Sequence, residues 1–159
     1  MIIDMNIHPI FYDSICGDEK ELEFRMNAFG VFKQSPYPYK EIFVEMDYAG
    51  VDKAALLPID LTTTEGGQIV TNDEIAKIIG ECPERFIGFA SVDPKRKDAL
   101  EVLDYAFGTL KLKGLNLHPA KQHFYPGEEF MNPIYEKCIS CGTELGTKCG
   151  DRICSSAKI

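Results

Sequence analysis

The chain opens on an apolar run, Met1-Ile2-Ile3, and then alternates polar and apolar residues through Asp4-Met5-Asn6-Ile7-His8 until Pro9 stops it. Period-two alternation predicts a strand, with positions 4, 6 and 8 on one face. Residues 11–36 carry scattered aromatics, Gly17, Gly30 and Ser35-Pro36 with no sustained period, which predicts an ordered excursion or short helices rather than a linker. Across 39–49 the residues Ile42, Phe43, Met46 and Ala49 recur at helical steps, and Gly50 is placed to end the helix. The run 54–59 is apolar throughout, as a strand covered on both faces would be. After the polar loop 62–67, Asn72-Asp73 caps a helix carrying Ile75, Ile78 and Ile79 toward Cys82-Pro83. A third strand is predicted over 86–92, closed by Asp93-Pro94, and a helix over 99–107, ended by Gly108. A fourth strand follows over 114–118, closed by Pro119, and a helical segment begins near Phe130 and runs to about Ile139.

Strands and helices therefore alternate, which favours an α/β fold with a parallel sheet and right-handed crossovers. In such folds the working residues sit at the carboxyl ends of the strands. That rule selects His8, Asp60, Asp93 and His118 with the loops that follow them.

Composition narrows the function classes. The 159 residues are 45% hydrophobic and 26% charged, enough apolar residues for one globular core. The length falls short of the roughly 250 residues of a closed eight-stranded (β/α) barrel. A net charge of −8 with no basic block argues against nucleic acid or an anionic membrane surface as partner and for a small-molecule substrate. No apolar run reaches the roughly 18 residues of a membrane span. Asp4 stands where an export signal would need a basic region, so cytoplasmic residence is expected. Of six cysteines, Cys16 and Cys82 are isolated, and the other four crowd into positions 138, 141, 149 and 154. In a reducing cytosol such thiols read as metal ligands or unprotected side chains rather than disulfides.

Asn6 and His8, two residues apart on one strand face, lie about 7 Å apart along the backbone and can converge on one divalent cation. An amide oxygen suits harder cations better than zinc. The competing role for His8 is a hydrogen-bonded strand cap before proline. His118 precedes a loop, 119–126, that carries Lys121, Gln122, His123 and Tyr125. Those groups either meet a ligand, or Phe124, Tyr125 and Pro126 pin the loop while the polar groups face water. Asp60 and Asp93 could bind substrate or metal, but acids at strand ends also serve as helix caps and turn residues.

Three blocks carry a resemblance: Ile2-Ile3-Asp4-Met5-Asn6-Ile7-His8-Pro9, then Pro83-Glu84-Arg85-Phe86-Ile87-Gly88-Phe89-Ala90-Ser91-Val92-Asp93-Pro94, then Lys113-Gly114-Leu115-Asn116-Leu117-His118-Pro119 with Gln122 and Phe124-Tyr125-Pro126. In order and spacing over residues 1–137 the chain resembles the amidohydrolase-related family, the branch of metal-dependent barrel hydrolases that includes aminocarboxymuconate-semialdehyde decarboxylase. The resemblance implies a (β/α) barrel of which this chain is the N-terminal half, about four βα units. It also implies a divalent metal, usually zinc, at the carboxyl ends of the strands, and hydrolysis or non-oxidative decarboxylation of a small carboxylated substrate. His8 then matches the second histidine of the family's Asp-x-His-x-His and becomes a metal ligand. Asn6 stands at the first histidine, as a weak or indirect partner. His118 and Gln122 are expected to contact substrate. The family's remaining site residues come from later strands: a histidine on the fifth, an acid-base histidine on the sixth and an aspartate on the eighth. None has a counterpart in this sequence, so little turnover is expected of the chain alone.

The segment 138–159 breaks the pattern. It carries four cysteines and a net charge of +1, against −9 for residues 1–137, and shows no strand-like apolar run. It reads as the product of truncation or a shifted frame, or as a small zinc knuckle in which Cys138-x-x-Cys141 pairs poorly with Cys149 and Cys154. The competing account of the whole chain is a non-catalytic α/β binding or assembly module, a homo-oligomer that covers its open sheet edges by pairing.

Overall fold

The computed structural model describes residues 1–31, 33–149 and 152–154. Its main sheet has the order β1 (Ile3–Ile7), β2 (Lys53–Leu56), β5 (Phe86–Ala90), β6 (Gly114–Leu117), β7 (Glu144–Cys149) and β8 (Arg152–Cys154). Every neighbouring pair from β1 to β7 is parallel, and β8 returns antiparallel to β7. A separate antiparallel hairpin joins β3 (Ile59–Leu61) to β4 (Gly67–Ile69). The helices are α1 (Glu19–Phe29), α2 (Glu41–Ala49), α3 (Asn72–Glu81), α4 (Ala99–Gly108), the short α5 (Pro119–Gln122) and α6 (Asn132–Cys141).

The α/β alternation expected from the apolar runs is present, with four differences. The run 54–59 breaks at Leu57-Pro58, because proline has no N–H for a ladder, and its far end becomes β3. The excursion 11–36 holds an eleven-residue helix, α1, whose N-cap Asp18 accepts from the amides of Lys20 and Glu21. The loop after Asp60 is a hairpin rather than open coil. A strand follows residue 137 where no apolar run marks one: α6 runs through that position, and β7 then pairs with β6 from Gly114↔Glu144 to Leu117↔Thr147. Backbone hydrogen bonds to an existing edge ask little of side chains, so a segment without an apolar run still completes a ladder. For the zinc knuckle, Cys138 is buried in the core and Cys141 is exposed, while the side chains of Cys149 and Cys154 lie outside the described residues.

The core fills the space between the sheet and α3, α4 and α6, with Leu56, Phe86, Ala90, Leu115 and Leu117 meeting Ile75, Ile78, Leu103, Ala106, Phe107 and Ile134. Helix α3 starts on a capping box, Thr71 with Glu74, and comes so near β5 that a Cβ at Gly88 would overlap Ile79, Leu112 and Ile75. Gly88→Ala is therefore expected to cost about 1–3 kcal/mol, because a packed core resists an added methyl. Urea unfolding of the two chains measures it, and a change under about 0.5 kcal/mol would show that α3 has room to shift.

Cys82 ends α3, largely enclosed at 8% exposed, and its thiol donates to Glu84 Oε1 at 2.9 Å. Burial first, and the Glu84 carboxylate second, push this thiol from 9.0 up to about 11. The unfolded thiol ionises first as pH rises, so stability falls between about 9 and about 11 through this group. Cys82→Ser is expected to flatten the pH dependence of the urea midpoint in that window, and an unchanged slope would remove the thiol from it.

Candidate functional site

The carboxyl ends of β1, β2, β5 and β6 lie side by side, and the polar residues that follow them are held by cross-links between strand ends. At the end of β1, the enclosed Asn6 Oδ1 accepts no hydrogen bond among the described residues, and the Asn6 backbone N–H donates to Asp4 Oδ1. Next to it the half-buried His8 places Nδ1 2.7 Å from the Leu57 carbonyl, just beyond β2. A carbonyl only accepts, so Nδ1 carries the proton and the lone pair of the neutral ring lies on Nε2. Leu57 N in turn donates to the Ile7 carbonyl at 2.8 Å, so the two strand ends hold each other and fix the imidazole. The His8 ring meets Phe29, the last residue of α1, edge-on at 5.2 Å.

His118, at the end of β6, caps α5: its Nδ1 accepts from Lys121 N at 3.3 Å. Its own amide donates to Gln122 Oε1 at 2.8 Å. Gln122 was expected at the substrate, yet it is fully enclosed, and Nε2 donates to the Asp60 and Val92 carbonyls, each at 2.9 Å. Its amide is thus committed to backbone at three chain segments, where β3, β5 and β6 converge. Burial and these three bonds leave it no atom for a ligand.

The two acids selected by the strand-end rule are also spent. Asp60, 2% exposed, accepts from the Thr62 amide and hydroxyl and forms an ion pair with Arg96 at 3.1 Å. Asp93, 0% exposed, accepts from the Thr63 amide at 2.8 Å, the Thr63 hydroxyl at 2.6 Å and the Lys95 amide at 3.0 Å. Both are turn residues that anchor loops to the strand ends. Asn72 and Ser91 exchange a reciprocal pair of bonds, and Asn116 Nδ2 reaches the Pro58 carbonyl. Sequence periodicity offers no signal for these pairings, since each joins residues from different segments. Phe29 was missed for the same reason, because it belongs to the aperiodic excursion.

Among the described residues no three His, Cys, Asp or Glu side chains are grouped to hold a metal. Asn6 Oδ1 and His8 Nε2 are two neutral donors on one strand end, which fits part of a divalent-metal shell and not a whole one. Their chemistry, one oxygen and one imidazole, suits manganese at least as well as zinc.

The sequence matches the amidohydrolase family model over residues 3–146. No curated protein matches the chain. Among solved structures, an uncharacterised TIM-barrel protein from Bordetella bronchiseptica aligns with TM-score 0.65 and 18% identity over 92% of this chain and 54% of its own. The 4-oxalomesaconate hydratase of Rhodopseudomonas palustris aligns with TM-score 0.63 and 19% identity, over 91% of this chain and 51% of its own. A 5-carboxyvanillate decarboxylase from Novosphingobium aromaticivorans, solved with bound manganese and 3-methoxy-4-hydroxy-5-nitrobenzoic acid, aligns with TM-score 0.60 and 22% identity, over 91% of this chain and 49% of its own. The chain spans about half the length of each, and its parallel sheet is a half-barrel. No described helix is long and apolar enough to cross a membrane.

Proposed function

Because the chain belongs to the amidohydrolase family, we propose that it supplies the first part of a divalent-metal site acting on a small carboxylated substrate, by hydrolysis or non-oxidative decarboxylation. The observation that carries the proposal is the pair at the end of β1: an enclosed amide oxygen without a donor among the described residues, beside a histidine whose tautomer is fixed by the Leu57 carbonyl. A ligating histidine that gives its other N–H to a backbone carbonyl is the usual arrangement around bound metals. When bound, a divalent metal polarises a carbonyl or carboxylate and lowers the pKa of its water.

Asn6 and His8 hold the ion; Leu57 orients the imidazole; His118 faces substrate from the end of β6. Gln122 keeps the ends of β3, β5 and β6 in register from beneath. The hydratase and decarboxylase named above support a carboxylated substrate, since oxalomesaconate and 5-carboxyvanillate both carry carboxylates. Zinc remains the ion implied by the sequence resemblance, and Asn6 in place of a histidine moves the preference toward manganese. Thiols left unpaired at Cys16, Cys82, Cys138 and Cys141 support a reducing, cytoplasmic setting.

Thermal melting of the chelator-treated chain with added manganese or zinc tests the metal proposal. Manganese is expected to raise the Tm, and His8→Ala to abolish the rise. Asn6→His is expected to tighten zinc by at least about tenfold, through a second imidazole. No metal-dependent shift in either the natural chain or Asn6→His would end the proposal.

A further inference from the structure

The last turn of α6 carries two thiols three residues apart, near the amino-terminal ends of β6 and β7 and away from the strand ends that hold Asn6 and His8. Cys138 is 3% exposed and packs in the core, while Cys141 is exposed and lines an open cleft of about 400 Å³ with Lys111, Lys113 and Asp104. The Asp104 carboxylate is taken by Lys137 at 2.7 Å, so the two lysines favour an anionic visitor to the cleft. Residues i and i+3 of a helix share a face, with Cβ atoms about 5–6 Å apart, where a disulfide needs about 3.5–4.5 Å. The difference must come from the turn itself. That turn closes on Gly142, left-handed at φ 62°, whose N–H donates to the Ile139 carbonyl at 3.1 Å. Thr143 follows, and its N–H and hydroxyl both donate to the Cys138 carbonyl, at 3.0 and 3.1 Å. The next residue, Glu144, opens β7. Cys16 and Cys82 each stand alone in their segments, the one donating to the Ile10 carbonyl and the other to Glu84.

We propose that Cys138 and Cys141 are a reversible dithiol–disulfide pair, oxidised by a carboxylated small-molecule disulfide that enters the cleft, and that the bridge frees the turn between α6 and β7. The Cys141 thiolate attacks one sulfur of the incoming disulfide, forming a mixed disulfide and releasing one thiolate. Cys138 then gives up its proton and attacks the Cys141 sulfur, which expels the second thiolate. The protein thiols thus lose two electrons and two protons, and the small-molecule disulfide takes them up to become two thiols. Exposure sets the order. Burial holds the Cys138 thiol above its ordinary range, Thr143 opposes that rise and the nearby Cys141 sulfur adds to it, so Cys141 reacts first. Closing the bridge draws the Cys138 sulfur out of the core and shifts the Cys138 carbonyl off Thr143, so the first residues of β7 lose their anchor. A bridge held in a strained turn is readily reduced, which makes the step reversible.

Incubating the full chain with oxidised glutathione, alkylating the remaining thiols and digesting with trypsin tests the pair. Cleavage after Lys137 and Lys148 releases residues 138–148, which contain these two cysteines and no other. That peptide is expected unalkylated and lighter by two hydrogens than its reduced form, and dithiothreitol should restore both thiols. In Cys141→Ser, a change at the surface, Cys138 should stay a free thiol under the same treatment. In Cys138→Ala, Cys141 should keep one glutathione. Hydrogen exchange at the amides of Glu144 to Thr147 is expected to quicken at least about tenfold on oxidation of the natural chain, and not on treatment of Cys138→Ala. The comparison of oxidised and reduced natural chain needs no variant and stands even where a substitution disturbs folding. The proposal is overturned if the peptide stays reduced, if it retains glutathione at Cys141, or if it is found linked to Cys149 or Cys154 instead. Unchanged exchange in the bridged chain would overturn the release of β7.

Discussion

Replacing Gln122 with leucine is expected to lower the stability of the folded chain by about 3–5 kcal/mol, because each buried polar group left without its partner costs about 1–3 kcal/mol. Three such groups are stranded: the Asp60 and Val92 carbonyls and the His118 amide, all served by one side chain that is 0% exposed. Set against a net stability of about 5–15 kcal/mol for a domain, that loss moves the urea midpoint far enough to be unmistakable. Hydrogen exchange gives a specific signature: the His118 amide should lose its protection first, since its acceptor is the Gln122 oxygen. A variant within about 1 kcal/mol of the natural chain would mean that Gln122 is not what ties the strand ends together. Gln122→Glu should do no better, because a carboxylate offers no N–H to either carbonyl.

A loss of similar size is expected from Glu74→Ala. Helix α1 is joined to α3 through Arg25, 1% exposed, which reaches Glu74 Oε1 at 2.6 Å and the Ile15 carbonyl at 3.0 Å. Glu21 also approaches Arg25, at 3.5 Å, but it is 60% exposed and screened by water. Removing Glu74 leaves a buried guanidinium without its main partner, at a cost of about 3–5 kcal/mol, and also removes the side chain that accepts from Thr71 N. Glu74→Gln separates the two effects, since glutamine still completes a capping box. Adding Arg25→Met to Glu74→Gln should recover most of the loss, because an apolar replacement for a buried pair is often neutral. A double-mutant cycle showing no coupling between positions 25 and 74 would contradict the assignment.

The legible part of the fold is the part built from apolar repetition. Ala54-Ala55-Leu56, Phe86 to Ala90 and Gly114 to Leu117 are strands because both their faces are covered, and the stripe of Ile75 and Ile78 on α3 is what covers one of them. Helix α1 escaped because the residue it buries most completely is an arginine, and its charge is matched by a residue 49 positions away. Strand β7 escaped because it is held by the backbone of β6, which leaves no mark in side-chain periodicity. The place of His8 at a strand end was legible. The Leu57 carbonyl that sets its tautomer, and the Phe29 ring against it, come from segments that only the folded chain brings near. Gln122 stands out in the sequence for its position, but its three backbone partners do not, since nothing local tells a glutamine facing ligand from one bonded to three strand ends.

The proposed metal site stands on Asn6 and His8 forming one metal-facing pair. Titrating manganese into the isotope-labelled full chain and following paramagnetic broadening tests this directly. The Asn6 side-chain amide and the His8 ring signals should broaden first, followed by Leu57 and Phe29, with His8→Ala removing the effect. Broadening that begins at exposed carboxylates while the Asn6 and His8 signals stay sharp would contradict it.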